Sequence, residues 1–382
     1  MKTHLGFALA TCAAAICLLA RSPEILFEHK MIDGGISETC AIADFNNDGR
    51  PDIFSGDAWY ENPTWKRHEV RHLQEYGTYL ASLSDLPLDV DGDGNVDIVS
   101  SGWHPNRIWW SRNPGKAGGP WQDHAVDQGY PVEFSFLVDL DNDGKAREVL
   151  PQWGSEKAPL TWYEASGGSL VRHVASPRSY GHGIGVGDIN KDGRNDIITP
   201  QGWLEAPPDP RTAGWKFHPD FNLGGTGTSF IFVLDINEDG LPDLLTSNAH
   251  DYGIFWMEQR PDHSWVKHMI DESWSQAHAL TLVDLNGDGR PELLTGKRFM
   301  AHDGHDPGER EPLGLYWYEY RKSDDGKGVF WARHVIEYGS RAGAGMQIPV
   351  ADLDGDGDLD FAVGGKSGLF VFENLSKGHT RK

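Results

Sequence analysis

The 382-residue chain carries 57 Asp and Glu against 34 Lys and Arg, a formal charge of −23. So acidic a chain is a poor partner for nucleic acid or an anionic membrane surface. Past the N-terminus no segment is apolar for long enough to insert in a bilayer.

In chain order, residues 1–20 come first. Lys2 supplies a small basic end, and Leu5 to Ala20 is an apolar run too short to remain as an anchor. This predicts a secretory signal cleaved after Ala20, a secreted or periplasmic location, and a single mature domain over 21–382. Cys12 and Cys17 fall in the signal and Cys40 stands alone, so no internal disulfide is expected. An exported chain without disulfides needs another staple, and bound metal is the natural one.

Leu26-Phe27-Glu28-His29 then reads as an outer strand without companions. From Asp44 onward one unit recurs. An apolar strand leads into an acidic nonapeptide, a second apolar strand follows, an aromatic strand ends in an acid (Trp59-Tyr60-Glu61), and a fourth strand carries Trp-x-x-His (Trp65 to His68). The nonapeptides begin at Asp44, Asp89, Asp139, Asp188, Asp235, Asp284 and Asp352, spaced by 45, 50, 49, 47, 49 and 68 residues. Such a period marks a propeller or a solenoid. After the last nonapeptide the chain supplies a third strand near Phe372 and no fourth. The N-terminal strand is expected to complete that sheet, closing seven four-stranded blades into an all-β ring without an open edge.

The nonapeptides place oxygen side chains at positions 1, 3, 5 and 9 and glycine at 6. Alternate inward oxygens suit a hard cation such as Ca2+. The candidate ligands are Asp44, Asn46, Asp48 and Asp52; Asp89, Asp91, Asp93 and Asp97; Asp188, Asn190, Asp192 and Asp196; Asp235, Asn237, Asp239 and Asp243; Asp284, Asn286, Asp288 and Glu292; and Asp352, Asp354, Asp356 and Asp360. The third loop departs, with Arg147 at position 9, and is not expected to hold metal. The plainer alternative is a set of solvated turns, but so many carboxylates converging without a cation would repel.

Phe45-Asn46-Asn47-Asp48-Gly49-Arg50-Pro51-Asp52 and Leu353-Asp354-Gly355-Asp356-Gly357-Asp358-Leu359-Asp360 resemble the FG-GAP/VCBS repeats of integrin-α-type propellers. The resemblance covers the mature chain and implies the fold, while serving adhesion modules and enzymes alike. Gly181-His182-Gly183-Ile184-Gly185-Val186-Gly187-Asp188, Gly202-Trp203-Leu204-Glu205-Ala206-Pro207 and Thr295-Gly296-Lys297-Arg298 are similar to the propeller domain of aldos-2-ulose dehydratase and its exported bacterial relatives. That resemblance implies elimination of water from an oxidised sugar.

The repeats sort the histidines. Seven of 17 (His29, His68, His124, His173, His218, His268, His334) share the fourth-strand position, and a residue needed in every blade is structural. Several of the others gather in connections on the face opposite the acidic loops. His182 and His278 lie six residues before a loop's first Asp, an offset shared by Glu38 and Glu133. His104, His250, His302 and His305 lie between second and third strands, Tyr180 at a fourth-to-first connection, and Lys297 and Arg298 open the longest insertion. Imidazoles converging at one mouth suit a second divalent metal such as Zn2+, or proton transfer near neutral pH.

Elimination beside a carbonyl needs a base, an oxyanion holder and an acid. His182 or His278 is the candidate base. A metal on His104 or His250, or else Lys297 and Arg298, would hold the oxyanion, and Tyr180 would protonate the leaving hydroxyl. The expected substrate is a carbohydrate or sugar-derived small molecule, with polysaccharide lysis as a neighbouring chemistry. The alternative is a non-catalytic glycan- or protein-binding propeller of the adhesion type. A monomer is expected.

Overall fold

The computed structural model describes residues 22–377 apart from 225, 226, 324, 325 and 327; the expected signal segment lies outside the described residues. Among them the only helical element is a 3-10 turn at Gly115–Ala117. No helix among the described residues is long and apolar enough to cross a membrane.

The protein is an all-β propeller, a ring of sheets. Five sheets have four strands, one has eight, and Glu75–Tyr76 pairs with Tyr79–Leu80 as a small extra hairpin. The first sheet shows the plan: Ala41–Ala43, Asp52–Ser55, Ala58–Glu61 and Lys66–Glu69, each antiparallel to the next. In the eight-stranded sheet two such meanders meet at their first strands, Ile184–Gly187 running parallel to Phe230–Leu234 with Gly185 opposite Ile231. In the last sheet Phe27–Asp33 lies antiparallel to Gly368–Asn374, His29 opposite Phe372.

Burial explains the alphabet of each strand. Every residue of the second strands Asp97–Gly102, Asp243–Ser247, Glu292–Gly296 and Asp360–Gly365 is buried. They are covered on both faces by neighbouring sheets, so they read as continuous runs rather than alternating ones. The fourth strands face outward, and Lys66–Glu69 is almost wholly exposed. Core clusters lie between sheets rather than within them. Phe54 and Ile98 join the first two sheets, Val99 and Val149 the next pair, and Ile53 with Val371 joins the first sheet to the last, completing the ring.

The repeated aromatic–histidine signature is a strand-to-strand brace. Third-strand tryptophans stack on fourth-strand imidazoles: Trp59 on His68 at 4.1 Å, Trp162 on His173 at 4.3 Å, Trp203 on His218 at 4.1 Å and Trp317 on His334 at 3.7 Å. Each ring then binds the acid ending the third strand, His68 to Glu61 at 2.8 Å and His218 to Glu205 at 2.8 Å. A second device latches one sheet to the next. Tyr163 and Tyr318 donate to Asp127 and Asp271 on the preceding sheet's fourth strand, at 2.6 and 2.7 Å.

The acidic nonapeptides join first to second strands. Their glycines at position 6 turn in the left-handed region (Gly49 φ 87°, Gly193 φ 86°, Gly357 φ 91°), where a Cβ is disfavoured. The position-9 carboxylates are buried and tie three strands together. Asp97 accepts from Val90 N–H at 3.0 Å and Asn113 N–H at 2.8 Å, and Asp360 does the same for Leu353 and Asn374.

Candidate functional site

Each first strand enters the ring at one end and delivers its acidic loop at the other. Residues six positions before a loop's first Asp therefore stand about 20 Å from that loop along an extended strand. At this level the chain places Glu38, Leu83, Glu133, His182, Ser229, His278 and Met346 in turn. Neighbours in this series touch through the main chain, Met346 N–H donating to Glu38 O at 2.6 Å. Just within this mouth the channel is apolar, a space of about 330 Å³ lined by Ile42, Leu86, Phe136, Phe232, Leu282 and Ile348.

The polar members converge. His182 Nε2 lies 2.7 Å from Glu133 Oε2 and 2.9 Å from His250 Nε2. His278 Nε2 lies 3.8 Å from Glu133 Oε1. Glu133 Oε1 also receives Arg298 Nη1 at 3.2 Å, and the same guanidinium donates to both oxygens of Glu38, at 3.0 and 2.8 Å. Glu38, Glu133, His278 and Arg298 are all buried. A fork held between two carboxylates has one rotamer left, which is the use of arginine over lysine here. Gly227 permits the histidine contact: a Cβ there would stand 2.8 Å from His250 and 2.9 Å from His182.

Burial and charge set the protonation states. Burial opposes ionisation of Glu133, but His182, His250 and Arg298 outweigh it and hold its carboxyl well below the usual range. Burial disfavours the His182 imidazolium, yet Glu133 wins and raises its pKa. Burial lowers His250 to about 4. Burial, then Arg298 and His250, push His278 well below the ordinary histidine value, so it is neutral at pH 7.

Residues 297–313 cross this mouth. They are anchored by Thr78 Oγ1 donating to Asp303 at 2.6 Å, Tyr79 OH to Ala301 O at 2.5 Å and Lys366 Nζ to Met300 O at 2.6 Å. The crossing brings His302 and Asp306 to the cluster: His302 Nδ1 is 2.7 Å and His250 Nδ1 3.1 Å from Asp306 Oδ2. His104 stacks on Tyr76 and packs against Tyr79, each at 5.0 Å. A cavity of about 270 Å³ opens here, lined by Tyr79, Leu83, Trp103, His104, Glu133, Arg298, His302 and Asp303.

The sequence-predicted residues thus separate. His182, His250, His278 and Arg298 meet directly, and His104 lines the same cavity. Lys297 is buried but turned aside, its Nζ on Ser275 Oγ at 2.8 Å and 3.9 Å from Glu311, and burial lowers it to about 8. Tyr180, expected as an acid at this mouth, stacks on Phe217 at 4.0 Å, partly buried against the core between sheets. Asp306 had no repeat counterpart to single it out. Glu38 and Glu133 did, through the six-residue offset.

On the far face, the acidic loops order their own backbone: Asp48 N–H and Gly49 N–H donate to Asp44, at 3.1 and 2.8 Å, and the pattern recurs at Asp188 and Asp352. Carboxylate oxygens of Asp89, Asp91 and Asp97 lie close enough for one cation, as do those of Asp284, Asp288 and Glu292. The third loop closes differently from the others, Arg147 standing at position 9. Glu148 takes the closing position, accepting Leu140 N–H at 2.9 Å, and groups with Asp139 and Asp141. In the second loop the Arg112 guanidinium lies across Asp91 and Asp93.

Fold and repeats together define a β-propeller built on FG-GAP-like repeats, and the FG-GAP-like repeat pattern itself matches residues 89–146 and 214–295. No curated protein matches the chain. Among solved structures, BBS1N in complex with ARL6DN aligns at 10% identity over 92% of this chain and 97% of that one, with a TM-score of 0.57. A chain of the mitotic checkpoint complex aligns at 10% identity over 97% and 98%, with a TM-score of 0.52. An Agrocybe aegerita lectin that recognises non-reducing terminal N-acetylglucosamine aligns at 17% identity over 82% and 81%, with a TM-score of 0.44. At these identities the likeness concerns the fold alone.

Proposed function

We propose that this protein is an exported, calcium-stapled propeller of seven blades that acts on an oxidised sugar by β-elimination at the mouth opposite its acidic loops. The blade count treats the eight-stranded sheet as two blades touching at their inner strands, which its parallel Ile184–Phe230 pairing supports. The N-terminal strand closes the last blade. Ca2+ occupies the acidic loops, and a divalent metal such as Zn2+ belongs to the mouth.

The observation that carries the chemical reading is a sugar-sized cavity lined by Glu133 and Arg298 between Trp103 and Tyr79, with His182 and His278 directly behind Glu133. His278 enters neutral, as a base must. It takes the α-proton, the C–H pair becomes the enolate, and Arg298 stands at the oxyanion. As the enolate collapses to the alkene, the β C–O bond breaks and the leaving oxygen departs as water, protonated by His182, whose pKa is raised. Aromatic faces at Trp103, which is 37% exposed, suit the apolar side of a pyranose.

The test is a screen of keto-sugars and uronate polymers for new ultraviolet absorbance from the conjugated product. Turnover that falls at least ~100-fold in His278→Ala would support the assignment, that being the usual scale for a general base. Absence of absorbance change alongside measurable glycan binding would favour the adhesion-type reading instead.

A further inference from the structure

We propose that Glu133, His182, His250 and His278 bind one first-row transition-metal dication, a site distinct in chemistry from the all-oxygen loops on the other face. The argument begins with where each ring nitrogen points. His182 Nδ1 faces Thr228 O at 2.9 Å, His250 Nδ1 faces Asp306 Oδ2 at 3.1 Å, and His278 Nδ1 faces Gln276 O at 3.5 Å. Carbonyl and carboxylate oxygens only accept, so each Nδ1 carries the proton and each neutral ring keeps its lone pair on Nε2.

All three Nε2 atoms then turn toward Glu133. His182 Nε2 is 2.7 Å from Oε2, His250 Nε2 is 4.0 Å and His278 Nε2 is 3.8 Å from Oε1. His182 and His250 present Nε2 to Nε2 at 2.9 Å. Acceptors facing acceptors repel unless something positive lies among them. A single proton relieves one pair, His182 with Glu133. It leaves His278 Nε2, which is fully buried, without a hydrogen-bond partner. A dication serves all four ligands at once. Four ligands at about 2.1 Å from a tetrahedral metal stand ~3.4 Å apart, and the separations here, from 2.7 to 4.0 Å, bracket that value.

The surroundings have the form of an outer coordination shell. Acceptors on the far nitrogen fix each tautomer and ring angle, and Asp306 does this for His250 from the insertion. Arg298 takes one lone pair of Glu133 Oε1 and leaves the rest of the carboxylate to the ion, while Glu38 offsets the guanidinium. Three imidazoles and one carboxylate select Zn2+, Mn2+, Fe2+ or Co2+ over Ca2+ and Mg2+. The site stands on ligand geometry; filling it engages the His278 lone pair and His182 Nε2, so a bound ion and the base and acid roles given above exclude one another, and the titration below decides between them.

The full chain, stripped of metal and returned to calcium, would be titrated with Co2+ and followed by its visible d–d absorption and by calorimetry. One ion per chain is expected, displaced by Zn2+. Glu133→Gln and His278→Ala should weaken affinity ~100-fold or more and Asp306→Ala ~10-fold, the range seen when ligands or their supports are removed. His68→Ala should leave it unchanged. His250→Gln serves as a second ligand variant where His278→Ala fails to fold, with calcium-dependent melting as the folding control. A wild-type protein without a cobalt band, or ligand variants that bind as tightly as wild type, would overturn the site. Sugar turnover is not read, so loss of metal binding and loss of elimination are separable results.

Discussion

His68 and His278 differ in what surrounds them and in how often the chain repeats them. His68 belongs to a series that stacks on tryptophan and binds a strand-ending acid in sheet after sheet. His278 occupies a position whose identity changes around the ring, from Glu to Leu to His to Ser to Met. Constancy at a repeated position marks the scaffold; variation there marks the site. That logic made Glu38, Glu133, His182 and His278 legible in the sequence. His302 was placed at this mouth by its second-to-third connection, but Asp306, in an insertion with no equivalent elsewhere, was not singled out, and Tyr180 packs on Phe217, a contact that an offset along the chain does not reveal. His68→Ala should cost about 1 kcal/mol, the scale of an aromatic stack, with turnover unchanged. Arg298→Lys should be far more costly. A lysine cannot hold Glu38 and Glu133 together, and leaving a buried charge without its partner costs ~3–5 kcal/mol. A lower denaturant midpoint together with lost turnover would be measured; an unaltered midpoint would contradict the role given to this fork.

At the scale of elements, the acidic loop and the mouth insertion show opposite relations to sequence. The loop is a local structure: its turn, its glycine and its spacing of oxygen side chains lie within nine residues, so it was readable, except in the third loop, where Arg147 at position 9 hid that Glu148 fills the closing place one residue late. Its closing carboxylate does more than the pattern said. Asp97 satisfies N–H groups of Val90 and Asn113, and so pins the hairpin to the end of the third strand. Asp97→Ala would strand both donors in a buried place, costing about 2–6 kcal/mol at 1–3 per lost partner, calcium or no calcium. Asp93→Ala, at an exposed ligand position, should lower stability only when calcium is present. Thermal melts of both variants with and without chelator would separate the two. The insertion is held by tertiary contacts to Thr78, Tyr79 and Lys366, which no local pattern announces. Its ends already meet, Lys297 N–H donating to Gly314 O at 2.9 Å. Replacing residues 299–312 by a tight turn should therefore leave a folded ring with native circular dichroism and remove the activity that needs a covered mouth.

For the whole molecule the decisive contact joins its two ends. Each sheet buries its second strand between neighbours, so a ring has no spare face, but one sheet is assembled from residues 27–33 and 350–374. Without the N-terminal strand, Gly368–Asn374 would present seven residues of unpaired backbone, and the edge-to-face contact of Phe27 with Phe361 at 5.2 Å would be lost. An exposed edge of that length invites association with another chain. Deleting residues 22–33 should thus cause loss of the cooperative melt and concentration-dependent aggregation. Because the missing strand binds by backbone pairing, a synthetic peptide spanning 22–33 should restore a soluble species, with stability rising by RT ln(1 + [L]/Kd) as peptide is added. The same peptide with proline at Lys30, opposite Val371, removes a ladder donor and should not rescue. If the truncated chain melts as cooperatively as the full one and stays monomeric, the ring does not need its N-terminal strand, and the closure proposed for it is wrong.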